Sequence, residues 1–448
     1  MPPLSTRGLG DASLKGFKTT LGLGVVLIGL IGYIYIFEPA NTNETDIKTQ
    51  VFTIAADDID QLQVTATTGE ITQLQKEKGV WRIAEPIVGG VDDIQINAIT
   101  SGLSTLAQER IVEDAEALSQ YGLDPPRIDI GFRKQGEQSL QHLLLGDRTP
   151  TGDDLYAKRQ GDPSVFLVSS FIENTYNRTT FDLRDKSVLK FDQSALETIS
   201  ITQGARVIDF VKKDASWMIV EPITARAEYS SVEGLASLLS SSEVQRFIET
   251  KTTDLSKYGL GTPFLQATVS GLGTTTSLLI GSIVEGTRYA KDSSREGIFT
   301  VGNNLVQELQ KELSEFRRKS IFESRPFSAT KFEIHLGEST MSFDKTYDEN
   351  EQELWEINGQ PIDSSEAENT LIKLTSLRAE SFLAKPHPSL DSPEMTVIAT
   401  FDNKEQTETV SFVQVDANVY VNRTDEPGSA VMLASSYEEV FKMLDEFN

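Results

Sequence analysis

Trp217-Met218-Ile219-Val220-Glu221-Pro222 has a near copy at Trp81-Arg82-Ile83-Ala84-Glu85-Pro86. A looser copy, one residue longer before the proline, stands at Trp355-Glu356-Ile357-Asn358-Gly359-Gln360-Pro361. These are the only 3 tryptophans in 448 residues, and they lie 136 and 138 residues apart. Such regular spacing describes one module used three times. In the first two copies tryptophan and the isoleucine two positions on share one face of a strand. The proline ends that strand, because it cannot donate to a ladder.

The sequence around each tryptophan repeats in the same order. In the first module Ile59, Leu62 and Val64, then Ile71 and Leu74, read as short strands leading to Trp81. Asp92-x-x-Gln95 resembles a helix N-terminus, and Ile96, Ile99, Leu103 and Leu106 follow at helical spacing. The turn Tyr121-Gly122-Leu123-Asp124-Pro125-Pro126 comes next, then further strands, one carrying Tyr156-Ala157-Lys158. In the second module Ser230-x-x-Glu233 reads as a capping box, with Val232, Leu235, Leu238 and Leu239 as the helical stripe. Tyr258-Gly259-Leu260-Gly261-Thr262-Pro263 and Tyr289-Ala290-Lys291 then repeat the turn and strand. Leu305, Leu309 and Leu313 suggest one more helix. The third module is the most diverged. It keeps Ser365-x-x-Glu368 and the stripe Ala367, Leu371 and Leu374, and it ends in a helix with Tyr437, Val440, Phe441 and Leu444. Pro388-Ser389-Leu390-Asp391-Ser392-Pro393 replaces its Tyr-Gly-Leu turn, and Tyr420-Val421-Asn422 replaces Tyr-Ala-Lys. Packing accounts for these motifs: tryptophan covers the helix that follows, glycine takes a positive φ, and leucine caps the core.

The chain has 67 acidic and 41 basic residues, a net charge of −26. Such a surface repels nucleic acid and anionic lipid head groups. There is no cysteine, which removes disulfides, thiolate nucleophiles and cysteine zinc sites. Near the amino end, Arg7, Lys15 and Lys18 precede an uncharged run from Leu21 to Phe37, with Tyr33, Tyr35 and Phe37 clustered at its far end. With Thr19 and Thr20 the run is long enough to span a hydrocarbon core of about 30 Å. The basic flank keeps the amino end in the cytoplasm. The crowded aromatic end disfavours the rival reading, a cleaved signal peptide.

The expected class is therefore α+β: a single N-terminal transmembrane helix, then three tandem repeats of a mainly antiparallel sheet with one or two packed helices. The boundaries read 1–18 for a cytoplasmic N-terminus, 19–37 for the membrane helix, 38–50 for a polar tether, and 51–190, 191–325 and 326–448 for the repeats.

Taken together, the amino-terminal span, Trp-x-Ile-x-x-Pro, a helix, Tyr-Gly-Leu-x-x-Pro and a Leu-Gly strand end resemble the DUF4340 family of bacteria. The likeness covers most of residues 20–325 and, more weakly, the rest; the third module departs from it by losing the Tyr-Gly pair. The family has no assigned reaction or catalytic residues. Its members are often encoded beside gliding-motility-type ABC transporter subunits. The resemblance therefore implies an accessory role in an envelope complex.

Chemistry-bearing clusters are sparse in the sequence. His142, His335 and His387 lack a second histidine at metal-ligand spacing. Asp57-Asp58, Asp92-Asp93 and Asp153-Asp154 do not match a calcium loop. Gly271-Leu272-Gly273-Thr274 lacks the lysine of a phosphate loop and reads as a hairpin turn. Arg110 and Arg246 each follow their module's tryptophan by 29 residues, and either grip an anionic partner or pair with a carboxylate. No catalytic residue, metal ligand or cofactor is assigned. The residues singled out carry the repeat: Trp81, Pro86, Tyr121, Gly122, Leu123 and Pro126; Trp217, Pro222, Tyr258, Gly259, Leu260 and Pro263; Trp355, Pro361, Leu390 and Pro393. The function expected is a non-enzymatic, membrane-anchored, extracytoplasmic interaction protein of the bacterial inner membrane. Its partners are the membrane and envelope proteins, ABC transporter subunits among them, and not nucleic acid. The alternatives are an envelope binding protein for a glycan or peptide, and then a carboxylate-dependent hydrolase.

Overall fold

The computed structural model describes residues 49–448 apart from 114, 116, 250, 252, 403–405 and 448. In its first sheet the strands are β1 (Ile59–Thr65), β2 (Ile71–Glu77), β3 (Val80–Glu85), β4 (Gly89–Gly90), β5 (Arg110–Val112), β6 (Ile128–Lys134), β7 (Gln141–Arg148), β8 (Asp154–Arg159) and β9 (Val165–Ser169). They lie in the order β4-β3-β2-β1-β6-β7-β8-β9-β5, each pair antiparallel. Two more nine-stranded sheets, one within 198–301 and one within 329–433, repeat that order strand for strand. Alternation sets the inward face: in β1, Ile59, Leu62 and Val64 are buried and their neighbours are half-exposed. The chain divides into two compact units after Asp185; the first holds one sheet and the second holds two.

This architecture corrects the α+β expectation. Three nine-stranded antiparallel sheets set the fold, and helices are few among the described residues. Short segments that looked like loops, such as Gly89–Gly90 and Arg110–Val112, extend both ends of the first sheet. The stripe Leu305, Leu309 and Leu313 is broken into Asn303–Leu309 and Leu313–Phe316, with a turn at Gln310. Each sheet keeps one helix of 12 or 13 residues after its tryptophan strand: Asp93–Thr105, Tyr229–Ser241 and Ser364–Thr375. The transmembrane helix expected at 19–37, the amino end before it and residues 38–48 of the tether lie outside the described residues. No helix among the described residues is long and apolar enough to cross a membrane.

Two of the helix starts also differ from the expected caps. Asp92 does cap its helix, accepting from the amides of Ile94 and Gln95 at 3.1 and 3.2 Å. The second helix is preceded by Glu228, with no side-chain cap, because Glu233 is turned inward to the tryptophan. Asp363, not Ser365, caps the third.

The Tyr-Gly-Leu turn and the Leu-Gly strand end prove to be two sides of one contact. Gly122 and Gly259 adopt φ of 65° and 68°. A Cβ on Gly146 would lie 2.0 Å from the Tyr121 carbonyl oxygen, and one on Gly281 would lie 2.2 Å from that of Tyr258. Backbone therefore packs on backbone at a distance that only glycine permits. Leu123 and Leu260 are buried just beyond this contact. In the third sheet Val413 occupies the strand position equivalent to Gly281, as pairing of Met395 with Phe412 and of Leu265 with Ile280 shows. The third repeat has thus lost both partners of the contact together.

Gly281→Ala should therefore destabilise the second repeat by about 1–3 kcal/mol, the usual cost of overpacking. Gly234→Ala lies in the same repeat, inside a helix with nothing within 4 Å of the added methyl. It should raise stability by about 0.5–1 kcal/mol. Denaturant unfolding of the two variants checks the opposite signs.

Candidate functional site

The three tryptophans are core residues: Trp81 is 7% exposed, Trp217 1% and Trp355 0%. Each sits directly across the ladder from a lysine, Lys76, Lys212 or Lys345. The ammonium groups stand 5.9, 5.3 and 5.4 Å from the respective ring centroids. The ring face thus meets the lysine, a favourable cation–π contact, while the helix after it covers the core. In the second repeat the Trp217 indole N–H donates to Glu233 Oε1 at 2.9 Å, and Lys212 donates to the same oxygen at 2.8 Å. Burial pushes the Glu233 pKa up, but these two hydrogen bonds, the charge of Lys212 and a hydrogen bond from Gln193 together hold the carboxyl below its ordinary value.

The other singled-out residues occupy the sheet margins. Pro86 and Pro222 are exposed, immediately after their strands. Pro361 instead pairs within a two-residue strand, opposite Glu356. Pro126 and Pro263 are half-buried. Tyr121 packs on Tyr156 and Tyr258 on Tyr289, with ring centroids 4.7 and 4.9 Å apart. In the third repeat His387 stacks parallel on Tyr420 at 3.7 Å, where the tyrosine pairs of the first two repeats meet tilted and edge-on. There Leu390 is half-buried and Pro393 exposed. His142 lies 2.8 Å from Asp129 and His335 lies 3.1 Å from Glu333. Among the described residues, no group of three or more acidic or histidine side chains could hold a metal ion. Arg110 and Arg246 are both exposed at the sheet edge, and Arg246 pairs with Glu285 at 2.8 Å.

A corner that the motifs did not mark carries an arginine–carboxylate pair in every repeat. It lies where the chain entering a sheet crosses the turn between that sheet's eighth and ninth strands. In the first sheet Arg159 donates to the Val51 carbonyl at 3.2 Å and pairs with Asp162 at 2.5 Å. In the second, Arg295 donates to the Ser187 carbonyl and stands 3.2 Å from the buried Asp292. In the third, Arg423 donates to the Ile321 carbonyl at 2.8 Å and to Glu408 at 2.5 Å. A surface hollow opens at this corner in every repeat.

In the third repeat the corner also receives two arginines from the second. Arg226 Nε donates to Glu426 Oε1 at 2.6 Å, and its Nη2 donates to the carbonyls of Ser320 and Ile321 at 3.1 and 3.2 Å. Arg317 Nη2 donates to Glu426 Oε2 at 3.1 Å, and its guanidinium lies 3.9 Å from the Phe382 ring centroid. Burial raises the Glu426 pKa, but the charge of Arg226, its hydrogen bond and the charge of Arg317 together hold it below the usual range. Burial likewise raises the Glu408 pKa, but the backbone amides of Ser324 and Glu323 and the hydrogen bond and charge of Arg423 hold it below its ordinary value. Arg317 pairs backbone with Ala227 in one repeat, and Ser320 pairs with Arg378 in the next. Only residues 318 and 319 separate the two bridges, so the crossing between the second and third sheets is short and pinned on both sides.

Architecture and corner define tandem antiparallel sheet repeats with a buried charge network at the crossing between the second and third sheets. The profile of the domain of unknown function DUF4340 matches twice, over residues 81–218 and 217–393. The chain belongs to that family. The two matches begin at Trp81 and Trp217, and the second extends past Trp355 to residue 393. Neither a curated protein nor a solved structure matches the chain.

Two predictions follow from these networks. Trp217→Ala should cost about 3–5 kcal/mol, the usual loss for a buried indole, and lower the melting temperature; unchanged melting would contradict a core role. Glu426→Gln leaves Arg226 and Arg317 buried without their counter-charge and should cost about 3–5 kcal/mol. Because the Glu426 carboxyl is held below its unfolded value of about 4.3, its contribution is present above that pH and is lost as pH falls through the lower folded value. The difference between wild type and Glu426→Gln should therefore shrink below about pH 4, which unfolding curves at pH 7, 5 and 3.5 measure.

Proposed function

We propose that this protein is a non-enzymatic interaction protein, held at the outer face of a bacterial cytoplasmic membrane, that serves as an accessory part of an envelope complex. The observation that carries this reading is the crossing between the second and third sheets. There Arg226, Arg317 and Glu426 fix two sheets in one arrangement. A chain that spends its buried charges on holding sheets together is suited to presenting fixed surfaces to partners. The apolar run 21–37 with its basic flank supports attachment at the membrane, with residues 38–448 outside the cytoplasm. ABC transporter subunits are the partner class that the sequence resemblance favours.

Purification of the tagged full chain in mild detergent, with identification of what comes along, tests the reading. A stoichiometric membrane-protein partner is expected. A chain recovered alone, from both detergent and chemically cross-linked cells, contradicts it.

A second reading, an envelope binding protein for a glycan or peptide, is favoured by one feature of the second repeat. The hollow at its corner is lined by Ser270, Thr274, Thr275 and Thr276 beside Phe191. A hollow with both polar and aromatic lining suits a sugar or an extended peptide. Saturable binding of envelope oligosaccharides, lost in Phe191→Ala, is the outcome that would support it.

A further inference from the structure

On the binding-protein reading of the second repeat's hollow, on which this rests, we infer that the ligand is one neutral sugar ring, held by protons that the sugar's own hydroxyls donate. The hollow holds about 270 Å³, close to the lower end of ordinary small-ligand sites at about 300 Å³. The hollow at the third repeat's corner holds about 20 Å³, room for a water. Leu196 and Val269, both buried in the core, line the second repeat's hollow beside Phe191 and give the apolar face of a sugar ring a surface to cover. A Cβ on Gly271 would stand 1.9 Å from the Ala195 carbonyl oxygen, and both residues line the hollow. The wall is therefore set before any ligand arrives.

The polar lining is committed in one direction. A hydroxyl has one proton and two lone pairs. Ser294 Oγ donates to Asp292 Oδ1 at 2.7 Å, and Thr276 Oγ1 donates to the same oxygen at 3.0 Å. Thr274 Oγ1 donates to the Gly271 carbonyl at 2.8 Å. Alternation along the strand Thr274–Val284 places Thr274 and Thr276 on the face of the buried Leu278 and Ile280. Thr276 lies deep, whereas Thr274 and Ser294 are exposed. What these oxygens still offer is lone pairs. Asp192 adds a carboxylate, held below its ordinary pKa by hydrogen bonds from the Ser194 hydroxyl and amide. Lys190 balances that charge, so the lining is neutral overall. The ligand that matches brings several donors, no net charge and an apolar face, and a sugar ring has all three. An extended peptide brings as many acceptors as donors, and its acceptors would meet lone pairs.

Asp292 sets this direction, and the second repeat alone has a carboxylate there. Asp292 pairs with Leu278 as Arg159 pairs with Leu143 and Arg423 with Val410. A guanidinium cannot accept a hydroxyl proton. Three positions on, Arg295 stands where the other repeats have Asp162 and Glu426. The charge pair of the corner is thus reversed, with Arg295 Nε 3.2 Å from the fully buried Asp292.

The test titrates the purified full chain, in a detergent without a sugar head group, with glucose, N-acetylglucosamine and trialanine. Binding is read by saturation-transfer nuclear magnetic resonance on the ligand protons. Saturable binding of at least one sugar is expected. Deoxyfluoro analogues of that sugar keep its size and replace one hydroxyl at a time by a fluorine that cannot donate. At least two positions should weaken binding about threefold to tenfold, the worth of a neutral hydrogen bond. Thr274→Val and Ser294→Ala should weaken the parent sugar by a similar factor with melting unchanged. Analogues that all bind like the parent overturn the inference and leave a glycan site standing. Binding of trialanine without either sugar overturns it and leaves a peptide site. Sugar binding that neither variant weakens lies elsewhere and also overturns it. Binding of none of the three probes removes the inference together with the reading beneath it.

Discussion

Glu426 sits between two guanidiniums from another repeat, and the arrangement of the second and third sheets rests on that carboxylate. Buried ion pairs are weak net stabilisers, since desolvation offsets much of the attraction. Their strength lies in specificity: few other placements of these sheets would give Arg226 and Arg317 a counter-charge. The same geometry captures the linker, because Arg226 and Arg423 both donate to the Ile321 carbonyl. Apolar burial holds each sheet to its own helices, and the charged crossing holds one sheet to the next.

The repeat unit explains why one sequence pattern recurs with so few fixed residues. Tryptophan, the lysine across from it and the following helix close one half of each sheet. The Tyr-Gly turn lying on the Leu-Gly strand closes the other half in the first two repeats. The third repeat lacks the glycine contact on both sides and has a parallel His387–Tyr420 stack in place of the tilted and edge-on tyrosine pairs. Loss of both halves together is what a direct backbone contact demands, since either glycine alone would have nothing to accommodate.

Much of this was legible in the sequence, for identifiable reasons. Tryptophan spacing, alternating strands and helical stripes are local signals, and they located the strand–helix core around Trp81, Trp217 and Trp355. The weight of the sheets was underestimated, because two- and three-residue edge strands leave no periodicity to detect. Helical stripes also survive a break, as at Gln310 between Leu309 and Leu313. Glu233 looked like a capping residue because Ser230 stands three positions before it; tertiary pairing with Trp217 and Lys212 took it instead. The crossing was invisible because its members lie far apart: Arg226 and Glu426 are separated by 200 residues. One clue was present. Where the first repeat has Gly90 and the third has Pro361, the second has an arginine, a departure from the repeat that packing alone does not explain.

The central claim is that the second and third sheets form one rigid body fixed by their charged crossing. The absence of cysteine from all 448 residues makes a direct distance measurement simple. Spin labels at Leu272→Cys in the second sheet and Leu433→Cys in the third, both exposed, report the separation by pulsed electron resonance. The account predicts a single narrow distance distribution for the full chain at pH 7. A broad or multi-peaked distribution, with the melting temperature of the labelled protein unchanged, would contradict it.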